Sequence, residues 1–313
     1  MDALASLLDG PRARGAFLLR TIMSPPWSLR IQDQAPLTLV AVVRGEVWVV
    51  PDQVDAVRLD PGDVAILRGP DPYTVADDPA TAPQIVIHPG QRCATPEGEE
   101  LAQPMDLGVR TWGSGLDGAT MLLTGAYHMD GEISRRLLAA LPDLLVVPRA
   151  ALDSPLVPLL AEEITKDEPG QEAVLDRLLD LLLIAVLRSW FSRPEAQAPA
   201  WYRAQSDPVV GRALRMLHHN PAHPWTIGTL ASGTGVSRAG LARRFTELVG
   251  EPPMTYLTHW RLSVAADLLR EPQATVGAVA RQVGYGSPFA LSTAFKRVHG
   301  ISPHDYRAAA RTG

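Results

Sequence analysis

Leu230-Ala-Ser-Gly-Thr-Gly-Val-Ser-Arg-Ala-Gly-Leu-Ala-Arg-Arg-Phe245 and Val276-Gly-Ala-Val-Ala-Arg-Gln-Val-Gly-Tyr-Gly-Ser-Pro-Phe-Ala-Leu-Ser-Thr-Ala-Phe-Lys-Arg297 share one layout. Each has a short apolar helix, a glycine turn, a serine at a helix start, and a second helix with basic residues beside its apolar stripe. That order makes a helix-turn-helix, a unit that lays its second helix in a DNA major groove. Two such units in tandem are expected here.

Working outward from these stretches, the spacing predicts seven helices, near 207–219, 226–233, 237–248, 253–270, 275–282, 287–298 and 303–311. Thr226, Ser237, Thr275, Ser287 and Ser302 stand where N-caps are needed. Gly235 and Gly284 occupy the turns, and Gly250 and Gly300 follow helix ends. Leu230, Ala231, Val236, Leu241 and Phe245 are expected to form one core, and Val279, Ala280, Val283, Leu291 and Phe295 the other. The opposite faces of the second helices are the candidate base readers. They carry Arg238, Ala239, Ala242 and Arg243 in the first unit, and Pro288, Phe289, Ser292, Thr293 and Lys296 in the second. Arginine bonds guanine in a bidentate way, whereas alanine and phenylalanine touch only thymine methyls or base edges. Ser237 and Ser287, with the amides at their helix starts, suit phosphate. Arg244, Arg281 and Arg297 are further backbone candidates. For any one of these arginines, a solvated surface position is an equal alternative.

The net charge of −5 runs against DNA binding until the chain is divided. Residues 207–313 hold 12 Lys+Arg against 6 Asp+Glu, a net of +6, and residues 1–206 carry −11. An acidic body with a basic tail places nucleic-acid binding in the last third. A single cysteine, Cys93, excludes an intrachain disulfide and fits a cytoplasmic setting. Met1 to Gly10 has two aspartates and no basic residue, so it does not read as a secretory signal. The longest apolar stretch, 174–191, contains Asp176, Arg177, Asp180 and Arg188, too many charges for a membrane span.

The first 87 residues read mainly as β. Leu37–Val43 and Glu46–Val50 flank Arg44-Gly45, a hairpin signal, and Pro61-Gly62-Asp63 is a tight turn before Val64–Leu67. Gln84 to His88 and Ala119 to His128 are further strands, and 89–106 reads as loop. This punctuation predicts a small antiparallel barrel or sandwich. Helices are expected near 133–140, 155–166 and 172–191. The domains expected are a mainly-β domain with C-terminal helices over 1–192, a linker over 193–206, and a DNA-binding domain over 207–313.

Ala280-Arg-Gln-Val-Gly-Tyr-Gly-Ser287, then Ala294-Phe-Lys-Arg and Gly300-Ile-Ser-Pro-His-Asp-Tyr-Arg307, resemble the signature of the AraC/XylS family of transcriptional regulators. Pro253-Met-Thr-Tyr-Leu257, Arg261-Leu262 and Ala265-Ala-Asp-Leu-Leu269 resemble that family's long linking helix. The resemblance covers about residues 207–307. It implies that one chain reaches successive major grooves roughly 34 Å apart. It also puts Ala239, Ala242, Arg243, Phe289, Ser292 and Thr293 at base-facing positions. Leu291 departs from the family's usual phenylalanine, and Pro288 and Phe289 are unusual, so readout by DNA shape enters there. Through Pro61-Gly-Asp63, Leu123-Thr-Gly-Ala-Tyr127 and Leu141-Pro-Asp-Leu-Leu145, the N-terminal part resembles the cupin-like sensor domain of some of these regulators.

A metal-dependent cupin enzyme needs a histidine cluster with a carboxylate, and this region holds only His88 and His128. No catalytic residue, metal or cofactor is therefore expected. His88 and His128 are candidates to line an effector pocket, with a structural role as the alternative. Cys93, beside Arg92, is a candidate redox sensor if the arginine lowers its pKa. The helix 172–191 has more apolar residues than one face needs, and Leu175, Leu178, Leu179, Leu182 and Val186 are candidates for a homodimer face. A wholly intramolecular core helix is the other reading. The function expected is a DNA-binding transcriptional regulator controlled by a small molecule or redox signal. Its partners would be double-stranded DNA and RNA polymerase, with no membrane association. The alternatives are a constitutive regulator with a purely dimerising barrel, and a cupin enzyme fused to a DNA-binding domain.

Overall fold

The computed structural model describes residues 16–127, 131–152, 154–193 and 198–309. They fall into two units, one of 16–127 with 138–193, the other of 131–137 with 198–309. The opening decapeptide, His128 and residues 194–197 of the expected linker lie outside the described residues.

The N-terminal unit contains β1 (Phe17–Met23), β2 (Ser28–Ile31), β3 (Leu37–Arg44), β4 (Val47–Pro51), β5 (Val57–Leu59), β6 (Val64–Arg68), β7 (Tyr73–Ala76), β8 (Ile85–His88), β9 (Arg92–Ala94), β10 (Asp106–Gly108), β11 (Thr111–Gly113), β12 (Thr120–Tyr127) and β13 (Leu144–Val147). They form a seven-stranded sheet, β10-β11-β1-β12-β3-β6-β13, and a six-stranded sheet, β5-β4-β7-β2-β8-β9. The architecture is therefore a sandwich of two sheets and not a closed barrel. The Arg44-Gly45 signal does not make a hairpin either. β3 pairs with β12 and β6, and β4 pairs with β5 and β7, so Gly45 carries the chain from one sheet to the other. Inward residues of both sheets share one core, with Val40, Val42 and Leu122 on one side and Trp27, Val49 and Tyr73 on the other. This is the alternation expected of two stacked sheets.

Four helices of the chain's middle follow: α1 (Glu132–Leu138), α2 (Arg149–Leu152), α3 (Leu156–Glu163) and α4 (Gln171–Phe191). α4 lies against β12. A methyl placed on Gly125 would meet the Leu179 side chain at 2.7 Å, and the Tyr127 hydroxyl donates to the Leu179 carbonyl at 3.0 Å. The expected dimer face on this helix is corrected accordingly. Leu175, Leu179, Leu182 and Val186 are buried within the chain, and only Leu178 of the five is half-exposed. The outward apolar residues are Val174 and Leu181, 43% and 50% exposed.

The C-terminal unit continues with α5 (Ala200–Arg203), α6 (Val210–His219), α7 (Ile227–Thr234), α8 (Arg238–Val249), α9 (Pro253–Arg270), α10 (Val276–Gln282), α11 (Pro288–His299) and α12 (Pro303–Ala309). The stretch read as linker is helical from residue 200, and Ala204 is buried in this unit's core with Trp201 packed beside it. Two cores are strung on α9. Leu230, Leu241, Phe245, Tyr256 and Leu257 belong to the first, and Leu262, Ala266, Leu269, Leu291 and Phe295 to the second. Among the described residues no helix is long and apolar enough to cross a membrane.

His218 of α6 stacks on Trp260 and Tyr256, with ring centroids 4.3 and 5.7 Å away, and bonds the Tyr256 hydroxyl at 2.7 Å. Burial, with the Arg136 charge adding to it, holds its pKa down to about 3. The unfolded imidazole takes up a proton near pH 6.5 and the folded one does not. Its contribution to stability is therefore complete above about pH 6.5 and is lost as pH falls towards 3, by up to about 1.4 kcal/mol per pH unit. Thermal unfolding of the full chain between about pH 7 and pH 5 should show a shallower pH slope in His218→Phe than in the wild type. Equal slopes would refute the assignment.

Candidate nucleic-acid interface

The two helix-turn-helix units are built from the same local signals about fifty residues apart. In the first, the Thr226 hydroxyl caps α7 by accepting from the Thr229 amide, and the Ser237 hydroxyl caps α8 by accepting from the Gly240 amide at 3.1 Å. In the second, Thr275 accepts from Ala278 and Ser287 accepts from Ala290, each at 3.1 Å. Each cap satisfies an amide that the helix start leaves unpaired, and substitutes of this kind cost about 1 kcal/mol. Both second helices end on a left-handed glycine, Gly250 and Gly300. The turn glycine Gly284 has φ +80°, and a Cβ on it would stand 2.6 Å from the Ala222 carbonyl. Only glycine satisfies both the backbone and the space.

The apolar stripes face inward as the sequence predicts. Leu241, Phe245, Leu291 and Phe295 are fully buried. The opposite faces lie open. Arg238, Ala239 and Arg243 are exposed on α8, with Ala242 half-buried. Pro288, Phe289, Thr293 and Lys296 are exposed on α11, with Ser292 half-buried. Phe289 is 81% exposed, the largest value among the exposed large apolar residues, so no core explains it. Ser237, Ser287, Arg281 and Arg297 are exposed as well.

Hydrogen bonding refines what these side chains offer. The Ser292 hydroxyl donates to the Pro288 carbonyl at 2.8 Å, and the Thr293 hydroxyl to the Phe289 carbonyl at 3.0 Å. With their protons engaged, both present lone pairs that suit the amino groups of cytosine or adenine. The Arg238 guanidinium lies over α7, where a methyl on Gly228 would come within 3.2 Å of it. Arg244 differs from its expected phosphate role. Its Nε and Nη2 donate to one oxygen of Asp207 at 2.8 and 2.5 Å, and the other oxygen accepts from the Val209 and Val210 amides at 2.9 Å. Arg244 and those amides together hold the Asp207 carboxyl below its usual range against the cost of burial. Arg244 thus ties α8 to the start of α6.

Sequence reasoning missed Arg261. It is partly buried on α9 and donates to the Pro221 and His223 carbonyls at 2.7 and 2.8 Å. The residues it braces are adjacent neither in sequence nor in periodicity, so no local signal marked it.

Of the sensor candidates, His128 lies outside the described residues, and His88 and Cys93 stand on the paired strands β8 and β9, Cys93 opposite Ile87. His88 is half-buried at the end of β8. Cys93 is also half-buried, and its thiol donates weakly to the Gln91 carbonyl at 3.5 Å. Arg92 does not lower the thiol's pKa. Its guanidinium pairs with Glu100 at 2.9 Å, and burial followed by the Glu100 charge pushes the Cys93 thiol up. Among the described residues no group of three or more His, Cys, Asp or Glu side chains is placed to hold a metal.

Residues 2–192 match a cupin family model, and residues 230–309 match a helix-turn-helix domain model. An AraC-like transcription regulator of Streptomyces lividans is 33% identical, covering 98% of this chain and 98% of its own length. One from Streptomyces antibioticus is 34% identical with the same coverage. The solved DNA-binding domain of AdpA, a global transcriptional factor in complex with a target DNA, is 36% identical over 34% of this chain and 95% of that one, with a TM-score of 0.32. On full-length identity to these relatives, the chain belongs to the AraC-type family of helix-turn-helix, DNA-binding transcriptional regulators, with a cupin-type N-terminal region.

Proposed function

We propose that this regulator reads an oriented, two-box DNA site with two unlike helix faces. The observation that carries the reading is the pairing of open polar or apolar faces on α8 and α11 with fully buried stripes behind them. In the first box Arg243 and Arg238 favour guanine, and Ala239 and Ala242 leave room for thymine methyls. In the second, Phe289 makes apolar contact, Ser292 and Thr293 accept hydrogen bonds, and Pro288 and Lys296 flank them. Ser237, Ser287, Arg281 and Arg297 hold phosphates.

The N-terminal unit serves as sensor and dimerisation domain. Its sandwich interior is filled by residues such as Trp27, Tyr73 and Trp112. A small-molecule effector would instead occupy the cleft of about 370 Å³ between Val42, the Pro61–Gly62 turn, Leu152 and Val157, with Arg149 on its rim. The raised Cys93 pKa favours such an effector over a thiol switch. Homodimer contact would use Val174, Leu178 and Leu181, which recur at i, i+4 and i+7 on α4. The relatives' name as transcription regulators supports RNA polymerase as a partner, the cytoplasm as the location, and a role other than catalysis.

Selection of bound duplexes from a random pool by the full-length protein tests the main reading. Two unlike boxes about one helical turn apart are expected, and sequence-independent binding alone would overturn it. Arg243→Ala should relax preference in the first box and cost about 1–3 kcal/mol there, and Phe289→Ala should do so only in the second. Simultaneous loss of both boxes from either change would reject the assignment. Arg281→Ala should reduce the slope of log affinity on log salt by about one. Arg244→Ala should lower the melting temperature and leave that slope unchanged, because its partner is Asp207. Cys93 should react with iodoacetamide at neutral pH more slowly than glutathione does. Faster reaction would restore the redox reading.

A further inference from the structure

Residues 131–137 lie in sequence between β12 and β13, strands of the N-terminal unit, yet they group with the C-terminal unit. Four separate contacts hold α1 there. The Asp267 carboxylate accepts from the backbone amides of Glu132 and Ile133 at 2.5 and 3.2 Å. Ile133 packs on Trp260, and both are buried. The Arg136 guanidinium sits 5.7 Å from the centre of the Tyr256 ring. Arg135 donates to the Tyr306 hydroxyl at 3.2 Å.

The receiving face has a definite pattern. Tyr256, Trp260 and Asp267 stand at i, i+4 and i+11 on α9, one continuous stripe of that helix. The stripe runs the length of the linking helix. Tyr256 belongs to the first reading unit's core, and Asp267 lies among residues of the second. α1 therefore straps across the rod that spaces the two units. Both Asp267 oxygens are used by α1, and burial raises this carboxyl's pKa even with the two amides pulling it down. None of the residues on the reading faces of α8 and α11 is engaged by these contacts, so the docked helix leaves those faces open.

We propose that α1 is the transmission element of this regulator: its docking on the α9 stripe couples strands β12 and β13 to the geometry of the two DNA-reading units. The inference rests on the proposed DNA-reading function for its purpose, but not for its test. Only four residues separate Tyr127 from Glu132, and five separate Leu138 from Leu144. Such short connections pass displacement of either strand to α1. Coupling of this kind is reciprocal, so a change made on α9 must be felt in the strands.

Hydrogen exchange on the full chain without DNA measures that. Asp267→Ala, made in the C-terminal unit, should raise exchange of the 132–138 amides by about tenfold or more and also raise exchange in β12 and β13. Ile133→Asp, which leaves the sequence of the DNA-binding helices intact, should do the same to the α1 amides and loosen α9. Unchanged protection of α8 and α11 in both variants shows that the reading units remain folded. If exchange rises in α1 and α9 while β12 and β13 stay as in the wild type, α1 does not transmit, and the proposal fails. If α1 itself is unmoved by either change, the docking is wrong. A parallel selection of duplexes by the wild type keeps the two readings apart: its failure overturns the DNA-reading assignment, while the exchange result decides the coupling.

Discussion

Helix α9 is the constraint on which the C-terminal unit depends. Its first half supplies Tyr256 and Leu257 to one core and its second half supplies Leu262, Ala265, Ala266 and Leu269 to the other. Eighteen residues at 1.5 Å each make a rod of about 27 Å. Neither helix-turn-helix can bury its apolar stripe without this rod, so stability and spacing come from the same side chains. Arg261, midway along it, ties down the loop before α7, and Gly284 of the second unit presses on Ala222 of that loop. The two units are thus interlocked at their turns as well as through the helix. A freely hinged pair would have to order itself on every DNA encounter, and this pair does not.

What the sequence made legible followed the range of the forces involved. Caps and turns act over three or four residues, so Thr226, Ser237, Thr275, Ser287 and the terminal glycines could be read directly. The buried stripes of α8 and α11 follow from periodicity alone. Long-range choices were not legible. α4 plainly had surplus leucines, but which side met the sheet depended on the space left by Gly125. The Arg44-Gly45 signal marked a turn correctly and its partner wrongly, because a corner between sheets and a hairpin need the same residues. Arg92 stands next to Cys93 in sequence, but its guanidinium pairs with Glu100, eight residues on. The short strand β9, inside the stretch 89–106 that reads as loop, carries too few residues for alternation to show.

The packing of the N-terminal sandwich bears on the sensing role proposed for it. Its core is filled from both sheets by large side chains such as Trp27, Tyr73 and Trp112. Cys93 packs against that core from one edge, which keeps its thiol protonated. On the sensing role proposed above, a signal would act at the surface of the sandwich, where loops and helices α2 and α3 meet strand β3. From there it would pass through packed strands, and the central strand β12, bonded on both sides, is the one whose chain continues into α1.

The difference between the two reading faces has a consequence for the DNA. At matched positions fifty residues apart, Arg238 corresponds to Pro288, Ala239 to Phe289, Ala242 to Ser292, and Arg243 to Thr293. One face is cationic with small neighbours, the other apolar with hydroxyl acceptors. On the proposed base-reading roles, chemistry so unlike favours different bases, and the rod between the faces fixes which comes first along the duplex. Under those roles a single chain on its site has a direction. Two chains related by a twofold axis would need inverted copies of the whole two-box site, and two chains in tandem would need direct copies. If the N-terminal units pair as proposed, the orientation of the boxes would follow from that pairing, and α4, with its outward Val174 and Leu181 beside the half-exposed Leu178, is where it would be set.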